Sequence, residues 1–253
     1  MFPAHWSRER RSAVTIAVAM FLMVLFLSTM AIPLSLLPKP IGPAAKQFAD
    51  GSMVTVQLTV VSGLAGIVLG VIAAICKLSN ILPLRWLATF YIWVFRGTPL
   101  LVQVMFAYSI NLPGGMQFSE FQAAIVALAL NVGAYNAEAI RGGILAIHKG
   151  QTEAARSLGL SRFQTFRDVV FPQAFRISLP PLVNNIVSLL KDSSLAYVIG
   201  VVELSNIGNQ VKSASFEPVP VFITTAAIYL LLTTIMTQIS DAIERQLDVE
   251  RHQ

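Results

Sequence analysis

Charge is what this chain has least of. Only 12% of its 253 residues are Asp, Glu, Lys or Arg, about half the share of an ordinary soluble domain, which excludes a chain solvated on all sides. Cysteine is scarcer still: the lone Cys76 excludes an internal disulfide and a cysteine-built metal cluster. The three histidines stand at no metal-ligand spacing. No G-x-x-x-x-G-K-[ST] stretch occurs, so the chain has no P-loop to cradle ATP phosphates. Nor does a nucleophile–base constellation suggest a membrane-bound enzyme. No metal or cofactor is expected on the chain itself.

What is plentiful is apolar. Hydrophobic residues make up 55% of the chain and its mean hydropathy is +0.68, as in a polytopic helical membrane protein. The net charge of +5 then reads as an excess in cytoplasmic loops, not as nucleic-acid binding. Six membrane-spanning helices are predicted. The first covers residues 12–32, behind Arg8, Arg10 and Arg11, and outruns the apolar core of a cleaved signal peptide. A connector over residues 33–50, with Pro33, Pro38, Pro40 and Pro43, should interrupt the helix. The second span covers 54–76, with Ser62, Gly66 and Gly70 on one face, where small residues let a neighbouring helix approach closely. The third covers 86–110 and holds Arg96-Gly97-Thr98-Pro99, which should kink or open it. The fourth, fifth and sixth cover 119–140, 181–201 and 219–240, with Pro180 and Pro181 in the first turn of the fifth. Lys77 and Arg85 place their turn in the cytoplasm, residues 111–118 and 203–218 are expected outside, and both termini, including the charged tail, inside.

Polar groups within these spans are expensive and face protein or water, not lipid. Arg96 lies about 15 Å along its helix from Trp86. It either braces an interface, snorkels to the cytoplasmic edge or lines a solute path. Asn131, Tyr135 and Glu138 share one helix face, and Glu138 has Arg141 three residues on. That stripe is either internal packing or path lining. Lys191 stands at the middle of the fifth span, amid Asn184, Asn185, Ser188, Asp192, Ser193 and Ser194. Midplane polar groups beside irregular helix are where transporters bind polar solutes; an internal Lys–Asp brace is the alternative. Asp192 suits an ammonium, and Ser193, Ser194 or freed backbone N–H groups suit a carboxylate.

Between the fourth and fifth spans lies a polar island, residues 141–176. Arg141, Lys149, Arg156, Arg162, Arg167 and Arg176 outweigh Glu153 and Asp168 there, so it is expected in the cytoplasm. Thr152 can cap a short helix that starts at Glu153, and Gly159 is a natural stop. Ser161 and Gln164 read as a capping box for a second short helix that ends before Pro172.

Glu153, Ala154 and Ala155, then Gly159, then Val169 and Pro172, resemble the EAA loop of ABC importer permeases. Phe171 stands where that family usually has Leu. Arg96 to Gln103 (RGTPLLVQ), Ala134-Tyr135 with Glu138, Gly150-Gln151, Pro172-Gln173-Ala174 and Lys191 to Leu195 (KDSSL) resemble its polar amino acid subfamily, of the histidine, glutamine, arginine and cystine type. The resemblance covers residues 51–244 and implies an all-α, type I importer core with its coupling loop at 150–172. Many such subunits begin near what is here Gly51 and have five spans, so residues 1–50 look like an addition, and 245–253 a tail.

That resemblance implies a permease of the cell inner membrane that moves a polar L-amino acid inward by alternating access. The coupling helix, with Glu153, Ala154, Ala155, Arg156 and Gly159, would dock on an ATPase subunit pair that carries ATP and Mg. A second permease subunit, like or unlike this one, and an external amino-acid-binding protein are the other implied partners. The solute path would draw on Arg96, Thr98, Gln103, Asn131, Tyr135, Glu138, Asn185, Lys191, Asp192, Ser193 and Ser194. Alternatives are an ABC permease for another small solute, such as a short peptide or methionine, and an ion-coupled secondary transporter.

Overall fold

The structure, a computed structural model, describes residues 8–110 and 117–248. The extreme termini and most of the expected outer turn at 111–118 lie outside the described residues. Every element among the described residues is helical. Four helices are long and apolar enough to cross a membrane: Ala13–Ser35, Ile41–Leu78, Glu120–Leu145 and Pro218–Glu244. Two bent pairs, Leu82–Gly97 with Leu100–Ser109 and Arg162–Ile199 with Leu204–Ser215, bring the count to as many as six where each pair counts as one span.

The chain forms two compact units. The first comprises Met1–Ser62, Leu100–Leu128 and Val187–Gln253; the second comprises Gly63–Pro99 and Ala129–Ile186.

In the first unit, α1 (Arg8–Thr29) packs along the last helix, Pro218–Asp248. Met23, Leu27, Phe48, Leu204, Ile228 and Leu232 share one buried cluster. The opposite face of α1 leaves Phe21, Leu22 and Val24 exposed, which costs nothing where the surrounding solvent is hydrocarbon. The short α2 (Ala31–Ser35) follows. The Pro-rich connector is shorter than expected, because α3 (Ile41–Leu78) starts inside it. Pro43 sits in the first turn of α3, where its missing N–H would have had no helical partner.

The third span is broken, as expected. In the second unit α4 (Leu82–Gly97) ends with Thr98 extended, at φ −114° and ψ 149°. The ring of Pro99 disfavours helical backbone in the residue before it. In the first unit α5 (Leu100–Ser109) resumes the helix. Helix α6 (Glu120–Leu145) opens with a reciprocal cap: Ser119 Oγ accepts from Gln122 N at 3.3 Å, and Ser119 N donates to Gln122 Oε1 at 3.1 Å.

Small residues join α3 to α6 in the second unit. A Cβ on Gly66 would meet Val132 and the backbone of Ala129 and Gly133; one on Gly70 would meet Asn136 and Ala137. Both glycines therefore serve close helix packing, as their spacing predicts. Helix α4 joins the same bundle through Tyr91 Oη, which donates to the Leu130 carbonyl at 2.7 Å, and through Asn131 Nδ2, which donates to the Phe95 carbonyl at 3.0 Å.

Two proline expectations are corrected. Helical backbone does not stop at Pro172. A π-helical segment, Thr165–Val170, closes with Phe171 N–H on the Phe166 carbonyl, and α9 (Phe171–Asp192) then carries Pro172 in its first turn. The wider π register returns to α where proline has no donor to offer. Pro180 and Pro181 do not start a helix either; they lie inside α9. A 3₁₀ turn, Ser193–Ile199, follows.

Residues 203–218, expected as an outer loop, are mostly α10 (Leu204–Ser215), and α11 (Pro218–Asp248) follows. Glu203 caps α10 from a fully buried position. It accepts from Ser205 N and Asn206 N, both at 2.8 Å, and from Tyr229 Oη at 2.8 Å. No local sequence pattern shows this carboxylate's burial; the packing of α3, α10 and α11 does.

Candidate functional site

The polar island folds in the second unit as two short helices around a glycine corner. Helix α7 (Lys149–Ser157) starts one turn earlier than Thr152 would have capped it. His148 is the cap instead, extended at φ −61° and ψ 133°, with Nδ1 accepting from Gly150 N at 3.1 Å. The helix closes with Gly159 N–H on the Arg156 carbonyl at 2.9 Å and Leu160 N–H on the Ala155 carbonyl at 3.2 Å. These are the two bonds of a Schellman stop, which needs left-handed backbone at the intervening residue. Gly159 supplies it at φ +86°. Helix α8 (Arg162–Gln164) then opens with the expected capping box: Ser161 N donates to Gln164 Oε1 at 2.9 Å, and Gln164 N to Ser161 Oγ at 3.3 Å.

The two alanines do not share a face. Ala155 is buried, while Glu153, Ala154 and Arg156 are exposed. Successive helical residues point about 100° apart, so only one alanine of the pair is free to meet another surface. Sequence reasoning missed two apolar neighbours of that face: Leu158 is 84% exposed and Phe163 69%. Beside them Arg167 forms an ion pair with Asp168 at 2.6 Å and lies over the Phe163 ring. The loop's two stems are pressed together, since a Cβ on Gly143 of α6 would collide with Ser178 and the Ala174 carbonyl of α9.

The second unit also gathers part of the expected solute path. Glu138 is a hub. Lys77 Nζ meets it at 2.6 Å, Arg141 Nη2 at 2.8 Å and Arg96 Nη1 at 3.9 Å. Lys77 was not among the expected partners, being far away in sequence. Arg96 also lies over the Tyr135 ring, 5.2 Å from its centroid. Thr98 is exposed and donates to the Val94 carbonyl at 2.8 Å. Asn131 is turned into α4, as described above. Asn185 Nδ2 donates to Asn136 Oδ1 at 2.9 Å, and the Nδ2 of the fully buried Asn136 has no hydrogen-bond acceptor among the described residues.

The remaining candidates belong to the first unit. Gln103 is buried in α5. Ser193 is fully buried and donates to the Leu190 carbonyl at 2.8 Å. Asp192 and Ser194 are half-buried and Lys191 exposed. Lys191 and Ser194 line a cavity of about 330 Å³ with Ser205, Phe222, Thr225, Ala226 and Tyr229. Among the described residues no three His, Cys, Asp or Glu side chains are grouped to hold a metal.

Residues 66–249 match the family described as binding-protein-dependent transport system inner membrane component. The arginine transport system permease protein ArtQ of Bacillus subtilis is 41% identical over 78% of this chain and 91% of its own length. The L-cystine transport system permease protein TcyB of the same organism is 37% identical over 86% and 92%. The glutamine transport system permease protein GlnP of Escherichia coli is 37% identical over 83% and 96%. A crystal structure of an amino acid ABC transporter with histidines superposes with a TM-score of 0.76 at 37% identity, over 80% of this chain and 95% of that one.

Proposed function

The chain belongs to the family of binding-protein-dependent transport system inner membrane components, and from that premise we propose that it is the permease subunit of an ATP-binding cassette importer for a polar amino acid. The observation that carries the proposal is the coupling loop: an exposed Glu153–Ala154–Arg156 face on α7, closed by the Gly159 corner and set on two tightly packed stems. Leu158 and Phe163 are also exposed on this loop, which supports docking on a partner protein.

With no P-loop in its sequence, this chain relies on an ATPase subunit pair for hydrolysis, with ATP and Mg bound there. One chain has one coupling helix, so a second permease subunit completes the pair. An external binding protein delivers the solute. The charge excess of the coupling loop supports a cytoplasmic side for it and for both termini. ATP-driven closure of the ATPases moves the coupling helices, and the permease pair alternates between outward and inward access without covalent chemistry of its own. Relatives named for arginine, cystine and glutamine support a polar amino acid as the solute.

The test is uptake into proteoliposomes that contain this chain, its copurified ATPase and its binding protein, across a panel of labelled amino acids. ATP-dependent uptake of one amino acid class is the expected result. No uptake of any amino acid, with the ATPase still bound, would overturn the substrate assignment.

A further inference from the structure

The polar stripe of α6 does not act as one surface. Asn131 is spent on the Phe95 carbonyl. Glu138 is spent on its cations, and its two short contacts go to Lys77 and Arg141. Tyr135 alone is left exposed, at 41%, and its hydroxyl makes no hydrogen bond to another described residue.

Arg96 is in a similar position. Three cations surround one carboxylate, so the cluster has two positive charges in excess. Arg96 is the farthest of the three from Glu138, at 3.9 Å, and the most exposed, with 43% of its side chain accessible. Its guanidinium makes no hydrogen bond among the described residues and rests on the Tyr135 ring. Stacking and the long contact to Glu138 fix where the group points without using its donors. The space beside it is open: a Cβ built on Gly97 would meet nothing within 4 Å. The backbone also leaves the helix there, at Thr98.

A pre-oriented guanidinium with spare donors, an unpaired phenol beside it and excess positive charge make a receptor for a planar anion. Guanidinium and carboxylate match as a two-point fork. We propose that Arg96, held over the Tyr135 ring, binds the α-carboxylate of the transported amino acid as it passes the C-terminal end of α4. Lys77 and Arg141 hold Glu138, and so keep that carboxylate from closing on Arg96. The inference rests on the amino acid importer reading above.

The test uses the complex of this chain with its ATPase, in nanodiscs of phosphatidylcholine alone. Equilibrium binding is measured for a panel of labelled amino acids, with the carboxamide of whichever binds as competitor. Wild type should prefer the acid to the carboxamide. Arg96→Gln should weaken binding of the acid about 10- to 100-fold and abolish that preference. Arg96→Lys, which keeps the charge and loses the fork, should fall between. If Arg96→Gln does not assemble, Arg96→Lys and Tyr135→Leu carry the test through the same acid-to-carboxamide ratio, which a bracing role would not move.

An unchanged ratio in these variants overturns the inference. So does failure of wild type to bind any amino acid while ATP-driven uptake proceeds. If Arg96 variants alter only the binding of added phosphatidylglycerol, the cation holds a lipid headgroup and the inference also falls. Absence of amino acid uptake by wild type with its binding protein instead overturns the importer's substrate assignment, and this inference with it.

Discussion

Replacing Gly159 with valine isolates the corner of the proposed coupling loop. The residue sits at φ +86°, and an added Cβ there would meet nothing within 4 Å. The Cβ brings no clash, so the penalty worked here is backbone strain, about 1–2 kcal/mol for a side chain held in the left-handed region. At 1.4 kcal/mol per decade, that shifts the population with an intact corner about 5- to 30-fold. The two bonds of the stop, from Gly159 N–H and Leu160 N–H, loosen together, and α7 no longer leads rigidly into α8. The assay is solute taken up per ATP hydrolysed in proteoliposomes, with copurification of the ATPase as a check on assembly. Gly159→Val should lower that ratio several-fold. Gly159→Asn should stay near wild type, because asparagine tolerates left-handed backbone. Normal coupling in the valine variant, or equal damage from asparagine, would refute the conformational argument.

Gly66→Leu should lower the melting temperature in detergent, since overpacking against Val132 and the α6 backbone costs about 1–3 kcal/mol. Gly142→Ala, where an added Cβ also meets nothing, should leave melting unchanged or raise it by helix propensity; similar losses in both would disprove the close α3–α6 approach. Glu138→Gln leaves three cations without their shared carboxylate and should destabilise the complex by about 1–3 kcal/mol, partial exposure moderating the loss. Adding Lys77→Met should recover part of it, and strictly additive losses would show that the pair is not coupled. Asp192→Asn should weaken uptake while the ATPase still copurifies; unchanged uptake kinetics would remove Asp192 from the path.

What the sequence determined by itself are the features set within a few residues. Apolar runs fix the spans because crossing hydrocarbon requires about 20 such residues in one helix. Ser161 with Gln164, and Gly159 after α7, are readable because caps and stops are made by neighbours in the chain. Thr98 is extended because Pro99 follows it. Glu138 and Arg141 pair because three residues bring them one turn apart.

Other features needed the tertiary structure. Lys77 and Arg96 reach Glu138 only because α3 and α4 pack on α6, and no local pattern encodes that meeting. The division of the α6 stripe into a spent Asn131, a spent Glu138 and an exposed Tyr135 depends on the same packing. Glu203 looked like part of an outer loop until α3 and α11 were seen to bury it. Prolines were misleading at positions 172, 180 and 181: a π turn leads into the first, and the other two lie inside α9. Local chemistry thus wrote the apolar helices and the Gly159 corner. Which polar groups stay unspent was decided by distant residues, because a donor's availability depends on every partner that folding brings within reach.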